Sequence, residues 1–117
     1  HPNAIISELS KVGLGSVVMA GSIINPFSSI GISNIINTNS VIEHDNLVGD
    51  YVHISPGVNI AGSVTIGQES WIGIGSSIKQ NISIGSNVIV GLGSVVLEDL
   101  PDNVVAFGSP AKIDLQC

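Results

Sequence analysis

The chain has 117 residues, a net charge of −6 and three cations, all of them lysines. So acidic a chain is unsuited to nucleic acid or to an anionic membrane surface, and its length allows one domain. A single cysteine, Cys117, excludes an intrachain disulfide, and with no signal peptide or bilayer-length apolar run the sequence predicts a cytoplasmic protein.

The first and longest predicted element is a repeat of six residues that runs from Ile6 to Val96. Each of its sixteen positions is Ile or Val, without an insertion. This period fits neither a helix nor a plain strand, and it is typical of a β-solenoid in which each short strand sends one β-branched side chain to a central core. Three hexads predict one triangular coil, so the repeat predicts an all-β parallel β-helix of about five coils.

Each predicted strand is followed by a predicted corner. The position four residues after each Ile or Val is mostly Ser, Asn or Val, and we expect it to be small because the interior narrows there. Glycine often follows the aliphatic residue directly, and we expect it to supply the backbone angles of the corner. These glycines are Gly13, Gly31, Gly49, Gly67, Gly73, Gly85 and Gly91.

After Val96 the hexad pattern stops. The sequence therefore predicts a β-helix domain over residues 1–100 and a short non-repeat tail over 101–117 that closes the last coil. The tail contains Gly108-Ser109-Pro110-Ala111-Lys112. Two prolines and a glycine after Leu97 leave no room for a long helix.

The repeat and its tail segment together resemble the hexapeptide-repeat acyltransferases. In the middle of the chain, Glu43-His44-Asp45, His53-Ile54-Ser55-Pro56-Gly57 and Ala61-Gly62-Ser63-Val64-Thr65-Ile66-Gly67 resemble the sugar O- and N-acetyltransferases of the sialic acid and bacillosamine pathways. The resemblance implies a left-handed β-helix, a handedness that the general rule for parallel crossovers would not predict. It also implies a homotrimer that uses acetyl-CoA and acetylates an amino or hydroxyl group of a nucleotide-activated sugar, for cell-surface polysaccharide biosynthesis.

Members of that group usually carry a small N-terminal domain that binds the nucleotide-sugar. No segment of these 117 residues corresponds to it.

His44 is the candidate general base, because imidazole titrates near neutral pH and can take a proton from an amine or a hydroxyl. The adjacent Asp45 is expected to orient the ring, although close relatives often have the longer Glu there. The alternative is an exposed corner histidine among solvated acids. No motif for a nucleophilic Ser or Cys is present, which favours direct transfer over an acyl-enzyme.

The resemblance implies further roles near the acetyl group. His53 would lie beside it, and the backbone N–H of Gly62 would stabilise the oxyanion. His53 follows His44 by half a coil, so the two lie on different sides of one prism and are expected to meet only between subunits. Asn37, expected one coil below the His44 region, is a candidate for a polar contact with acetyl-CoA or the acceptor. An interface histidine and a purely conformational glycine are the alternatives.

A coenzyme A groove is expected along the solenoid toward its C-terminus. Gly73, Ile74, Leu92 and Gly93 occupy matching positions on successive coils, and Lys112 would lie nearest the phosphates. The alternative is that the glycines only form corners.

The sequence is also compatible with other functions. The histidines His1, His44 and His53 are too scattered to predict the three-histidine zinc site of γ-class carbonic anhydrases, so no metal is expected. Within the enzyme class, serine or a simple sugar is an alternative acceptor. Outside it, the chain would be a non-catalytic β-helix that serves as a trimerisation module.

Overall fold

The computed structural model describes residues 1–115, so Cys117 and the end of the predicted tail lie outside the described residues. Three parallel sheets form the sides of a triangular prism. The first sheet contains β1 (Ile5–Ile6), β4 (Ile23–Ile24), β7 (Val41–Ile42), β10 (Asn59–Ile60), β13 (Ser77–Ile78) and β16 (Val95–Val96). The second contains β2 (Lys11–Val12), β5 (Ser29–Ile30), β8 (Leu47–Val48), β11 (Thr65–Ile66) and β14 (Ser83–Ile84). The third contains β3 (Val17–Val18), β6 (Ile35–Ile36), β9 (His53–Ile54), β12 (Trp71–Ile72), β15 (Ile89–Val90), β17 (Val105–Gly108) and β18 (Ala111–Ile113).

The coils wind as a left-handed β-helix, and successive coils are in register at 18 residues, as Ile60 over Ile42 illustrates. In each two-residue strand the second residue points inward, because successive side chains of a strand alternate between its two faces. Fourteen of the sixteen repeat positions are buried. Ile6 and Val12 are not, because they lie at the N-terminal end of the prism, where no preceding coil covers them.

The small polar residues at the corners also form hydrogen bonds between coils. The hydroxyl of Ser22 donates to the carbonyl of Asn37, and that of Ser76 donates to Gly91. Each bond links one coil to the next, and none of the buried side-chain N or O atoms in residues 1–115 lacks a partner. A ladder of polar bonds therefore supports the corners from inside the prism.

The glycines that follow the aliphatic residues act differently from the sequence expectation. None of them has a positive φ, and that backbone conformation is instead found two residues later, at Ser33, Tyr51 or Gly75 for example. A Cβ on Gly67 would lie 2.6 Å from the backbone carbon of Gly85. These glycines are required because successive coils approach too closely for a side chain, not because the corner needs their angles.

The repeat also continues beyond Val96, where the sequence analysis ended it. Leu100 pairs with Ile84, and Ala106 in β17 lies beside Val90, both at a spacing of 16 residues. The corner after Val96 is two residues shorter than the others, and this hides the pattern in the sequence. The side chains of Leu100 and Ala106 are nevertheless buried, and they belong to a sixth coil. β18 then pairs antiparallel with β17. Within residues 1–115 no helix of the length and apolarity needed to cross a membrane is found.

Replacing Asn34 by Ala tests the polar ladder. The Asn34 side chain accepts a bond from the Val52 N–H at 2.7 Å and donates to the Gly49 carbonyl at 2.8 Å. Because Asn34→Ala leaves both backbone groups unpaired in the interior, we expect a loss of about 2–4 kcal/mol in the free energy of unfolding. Asn59→Ala, on an exposed face, is the matched control. Equal urea midpoints for the two variants would contradict the role given to the ladder.

Candidate active site

His44 lies on the corner between the first and second sheets, two residues after the buried Ile42. Its Nδ1 is 2.9 Å from the Asp45 carboxylate. The two side chains are 61% and 55% exposed, so the pair faces solvent rather than the core. Asp45 thus reaches the ring despite its short side chain. A carboxylate accepts only from a protonated Nδ1, which leaves Nε2 unprotonated in the neutral ring and available as a base.

Gly62 lies one coil above His44, and the imidazole packs directly against it. A Cβ at this position would lie 2.6 Å from both Cε1 and Nε2 of His44. Gly62 is buried, whereas most residues at this corner position are exposed. The missing side chain is therefore what allows the ring to lie where it does.

The Gly62 amide has no hydrogen-bond partner among residues 1–115. The amides of His44 and Ile74, at the same corner position, are also unpaired, so this alone does not distinguish Gly62. Its distinction is that the unpaired N–H belongs to the residue that touches the imidazole. A donor and a base next to each other can act on one reacting centre.

Glu43 points away from the imidazole. Its carboxylate accepts a 2.9 Å bond from the Asn25 side chain in the coil below. It also lines a depression of about 290 Å³ on the first sheet, together with Asn59 and Ala61. This depression lies beside the His44 corner and provides space next to the base.

His53 faces outward from the third sheet, in contact with Asn37 and Trp71. Its Nε2 is 3.2 Å from the Asn37 amide nitrogen, and its ring centroid is 4.7 Å from that of Trp71. The Thr38 N–H donates to Oδ1 of Asn37, which orients the amide so that its nitrogen faces His53. His53 Nε2 is then the acceptor and Nδ1 carries the proton. Burial lowers the pKa of His53 below its usual value of 6.5, so the ring is neutral at pH 7.

A titration of His53 tests this environment. We expect the midpoint of its Cε1–H signal in proton NMR to lie below 6.5, and Asn37→Asp to raise it, because a carboxylate stabilises the imidazolium. Since the folded-state pKa is the lower one, the contribution of His53 to stability is present above pH 6.5 and is lost as the pH falls through the folded pKa. A midpoint at or above 6.5 in the unsubstituted chain would contradict this environment.

A groove of about 340 Å³ runs along the third sheet and its following corner. It contains four of the predicted cofactor-binding residues, His53, Gly73, Ile74 and Leu92, and Asn37 contacts it through His53. Small residues leave backbone exposed along it, and apolar side chains provide its walls. The remaining lining residues are Ser55, Pro56, Trp71, Ile89, Val90 and Gly91.

The other predicted residues lie elsewhere. The sequence analysis placed Asn37 one coil below His44, and this prediction is wrong. The residue one coil below His44 is Pro26. Gly93 has a φ of +63° with open space around it, as a corner glycine would. Lys112 lines a separate depression of about 320 Å³ with Glu98 and Asp99, away from the His53 groove.

The structure adds residues that the sequence analysis did not identify. Trp71 lies with its ring tilted against that of His53 and donates a 3.0 Å bond to Ser55, so it is part of the wall of the groove. The sequence contained a signal for this residue, because the only tryptophan occupies an outward strand position directly above His53 in register. Within residues 1–115 no group of three or more metal-ligating side chains is assembled.

Comparisons with protein-family models and with curated protein sequences gave no match. Solved structures gave many, of which three are representative. The acetyltransferase domain of PglB from Neisseria gonorrhoeae is 40% identical over 97% of this chain and 56% of its own length, with a TM-score of 0.97. PerB from Caulobacter crescentus, solved with CoA and GDP-perosamine, is 44% identical over 97% of this chain and 55% of its own, also with a TM-score of 0.97.

WeeI from Acinetobacter baumannii is 32% identical over 96% of this chain and 55% of its own length, with a TM-score of 0.79. The PglB domain has also been solved with acetyl coenzyme A, and histidine-to-asparagine and histidine-to-alanine variants of perosamine N-acetyltransferase with CoA and GDP-perosamine. This chain spans just over half the length of these proteins.

Proposed function

We propose that this chain, which has the hexapeptide-repeat transferase fold of the sugar N-acetyltransferases PglB, PerB and WeeI, catalyses acetyl transfer from acetyl-CoA to a nucleotide-activated sugar. The observation that carries the proposal is the contact of the Asp45-paired His44 ring with Gly62, in a chain 40% to 44% identical to solved acetyltransferases. An amine is the first choice of acceptor, for instance the 4-amino group of a nucleotide-linked aminodideoxy sugar. The identity of the base and sugar is left open.

In the proposed reaction His44 acts as the general base. Its Nε2 takes a proton from the acceptor amine as the nitrogen attacks the thioester carbonyl, and Asp45 holds the ring in the required tautomer and stabilises the imidazolium. The unpaired Gly62 N–H donates to the oxyanion of the tetrahedral intermediate. When the intermediate collapses, the C–S bond breaks and the imidazolium returns the proton to the thiolate of coenzyme A.

The His53 groove is the proposed site of the pantetheine arm. It lies on the third sheet, whereas His44 lies on the opposite corner of the same chain, so one prism cannot bring them together. We therefore include a homotrimer in the proposal, with His44 of one chain facing the groove of the next. Four of the outward side chains of the third sheet, Val17, Ile35, Trp71 and Ile89, are apolar and exposed in the isolated chain, which suits burial against another copy.

Acetyl-CoA binding tests the proposal directly. Because Trp71 lines the groove and is the only tryptophan, we expect acetyl-CoA to change its fluorescence and to raise the melting temperature. At a concentration of 100 times Kd the added stability is about 2.7 kcal/mol. Leu92→Asp, within the groove, should abolish both signals, and Leu14→Asp, on the same exposed corner type far from it, should not.

The result also separates the alternatives. Neither a fluorescence change nor a thermal shift at millimolar acetyl-CoA would favour the non-catalytic trimerisation module. Binding without turnover on any nucleotide-linked amino sugar would favour serine or a simple sugar as the acceptor. A molecule that is monomeric while active would leave His44 without a facing groove and would contradict the intersubunit site.

A further inference from the structure

Asn46 is a buried polar residue at the end of the His44 corner, and no step of the proposed reaction uses it. Its side chain is 2% exposed and points into the prism. In successive coils the same inward position holds Ser10, Ser28, Asn46, Val64 and Ile82. This column is polar below Asn46 and apolar above it. Asn46 is therefore the last residue of the column whose side chain can form hydrogen bonds.

The Asn46 side chain bonds to the backbone of two stacked corners. Its Nδ2 donates to the carbonyl of Glu43 at 2.9 Å, so it holds the peptide bond that leads into His44. Its Oδ1 accepts a 2.7 Å bond from the N–H of Val64, which follows Gly62 in the coil above. One side-chain amide thus connects the corner that carries the imidazole with the corner that carries the proposed oxyanion donor.

The coil below holds the His44 corner without help from the Asn46 side chain. The hydroxyl of Ser28 donates to the same Glu43 carbonyl at 2.7 Å and accepts from the backbone N–H of Asn46 at 3.1 Å. Loss of the Asn46 amide would therefore leave this corner attached to the coil below. The connection that would be lost is the one to the coil above.

The bond between Asn46 and Val64 is one of two hydrogen bonds that join the His44 corner to the Gly62 corner within residues 1–115. The other is the 3.0 Å bond from the Ser63 N–H to the carbonyl of His44, and both of these residues are exposed. The Asn46 bond is buried, so its loss would leave the Val64 N–H unpaired in the interior. The distance between the imidazole and the Gly62 N–H therefore depends on Asn46.

Asn34 provides a comparison at a different corner of the prism. It is as deeply buried as Asn46, and its Oδ1 also accepts a 2.7 Å bond from the N–H above it, that of Val52. Its Nδ2, however, donates to the Gly49 carbonyl in the coil above at 2.8 Å and not to a carbonyl of its own corner. Each side chain forms two bonds to backbone, so removal of either should cost similar stability.

We propose that Asn46 is a positioning residue that sets the separation between the His44 imidazole and the Gly62 N–H. This rests on the proposed function, in which the two groups act on one reacting centre, and it deepens that function by assigning the interior contact that fixes their distance. Asn46 touches neither substrate and acts through the backbone of both corners. A shift of about 1 Å between two such groups is enough to reduce turnover.

Replacing Asn46 with Val removes both side-chain bonds and still fills the corner, because valine occupies the same inward position at Val64. We expect Asn46→Val to lower kcat about tenfold at unchanged KM for acetyl-CoA. It should also weaken the nuclear Overhauser effect between the Cε1–H of His44 and the Hα of Gly62, since these atoms are in contact in the unsubstituted chain. Asn34→Val is the matched control, and it should lose as much melting temperature while it keeps both the kcat and the Overhauser effect.

Asn46→Ser is the conservative variant. At the inward position of another corner, the hydroxyl of Ser94 donates to the Gly91 carbonyl at 2.6 Å and accepts the Gly108 N–H from the coil above at 3.2 Å. A serine at this type of position can thus form both of the required bonds. We therefore expect Asn46→Ser to restore most of the kcat and of the Overhauser effect.

The NMR measurement uses the 117-residue chain without substrate, so it separates the positioning role from the function on which it rests. An Overhauser effect that persists in Asn46→Val, or that weakens equally in Asn34→Val, would overturn the positioning role. Thiol release by the unsubstituted chain would in that case leave the proposed transferase intact. Equal kcat values for Asn46→Val and Asn34→Val would also overturn it. An effect lost in Asn46→Val alone, in a chain that acetylates no nucleotide-sugar, would support the contact and contradict the transferase.

Discussion

Replacing His44 with Ala is expected to reduce turnover by about 100-fold or more, because the acceptor would lose its general base. The expected cost lies in kcat rather than in acetyl-CoA affinity, since the imidazole acts on the acceptor and is not among the residues that line the His53 groove. Initial rates of thiol release, with acetyl-CoA and a panel of UDP- and GDP-linked amino sugars, provide the measurement. Near-normal turnover of His44→Ala would remove the proposed mechanism.

Controls for this variant follow from the exposure of the corner. Because His44 is 61% exposed and contributes nothing to the core, its removal should leave the melting temperature unchanged. Gln68→Ala, at the equivalent position of another exposed corner, should leave both rate and stability unchanged. The turnover of Asp45→Asn should lie between those of His44→Ala and Gln68→Ala, because an amide can present an N–H to Nδ1 and favour the wrong tautomer.

Replacing Gly62 with Ala is expected to reduce turnover by about 10- to 100-fold with little change in stability. The new methyl group would lie 2.6 Å from two atoms of the His44 ring, so the ring must move. A displacement of about 1 Å at a catalytic group is sufficient for such a loss. Stability is spared because the displaced group is an exposed side chain that can turn into solvent, and Gly62 has no positive φ that Ala would strain.

Gly67→Ala is the matched control. There the methyl group would meet backbone atoms of Gly85 and Ser86, which cannot move without separating two coils. That variant should lose stability while the folded fraction keeps its kcat. A Gly62→Ala variant that lost melting temperature instead of kcat would show that the glycine is needed only for stacking.

A double-mutant cycle separates the two roles proposed for Gly62. If the methyl group acts only by displacing the imidazole, Gly62→Ala combined with His44→Ala should be no slower than His44→Ala alone. If it also shifts the unpaired amide from the oxyanion, the double variant should be slower still. Additive losses in kcat would contradict a positioning role.

Much of the fold could be predicted from the sequence, because one residue type recurs at every sixth position. An inward Ile or Val every six positions determines which face of each strand is buried, and Ile36, Ile54 and Ile72 lie where the pattern puts them. The His44–Asp45 pair was also predictable, since neighbours on a tight corner are bound to be close. The register of 18 residues follows from three equal sides.

Other features depended on the distance between coils, which no residue count reveals. The glycines after the aliphatic residues are needed because backbones approach closely there, and the contact of Gly62 with His44 arises from the same stacking. The placement of Asn37 against His53 was missed for a related reason: a side chain two residues out of register can still reach the next coil. The sixth coil was hidden by one shortened corner, although its hydrogen bonds continue unbroken.

By itself, then, the order of residues determined a triangular β-helix and the corner that carries the imidazole, since both arise from contacts between close neighbours and from a strict period. Only the tertiary structure decided what lies above and below that corner, namely Gly62 on one side and Pro26 with Phe27 on the other. The physical reason is that side chains meet between coils according to their reach and the space left by the neighbouring backbone. Such contacts are set by three-dimensional stacking and not by the spacing along the chain.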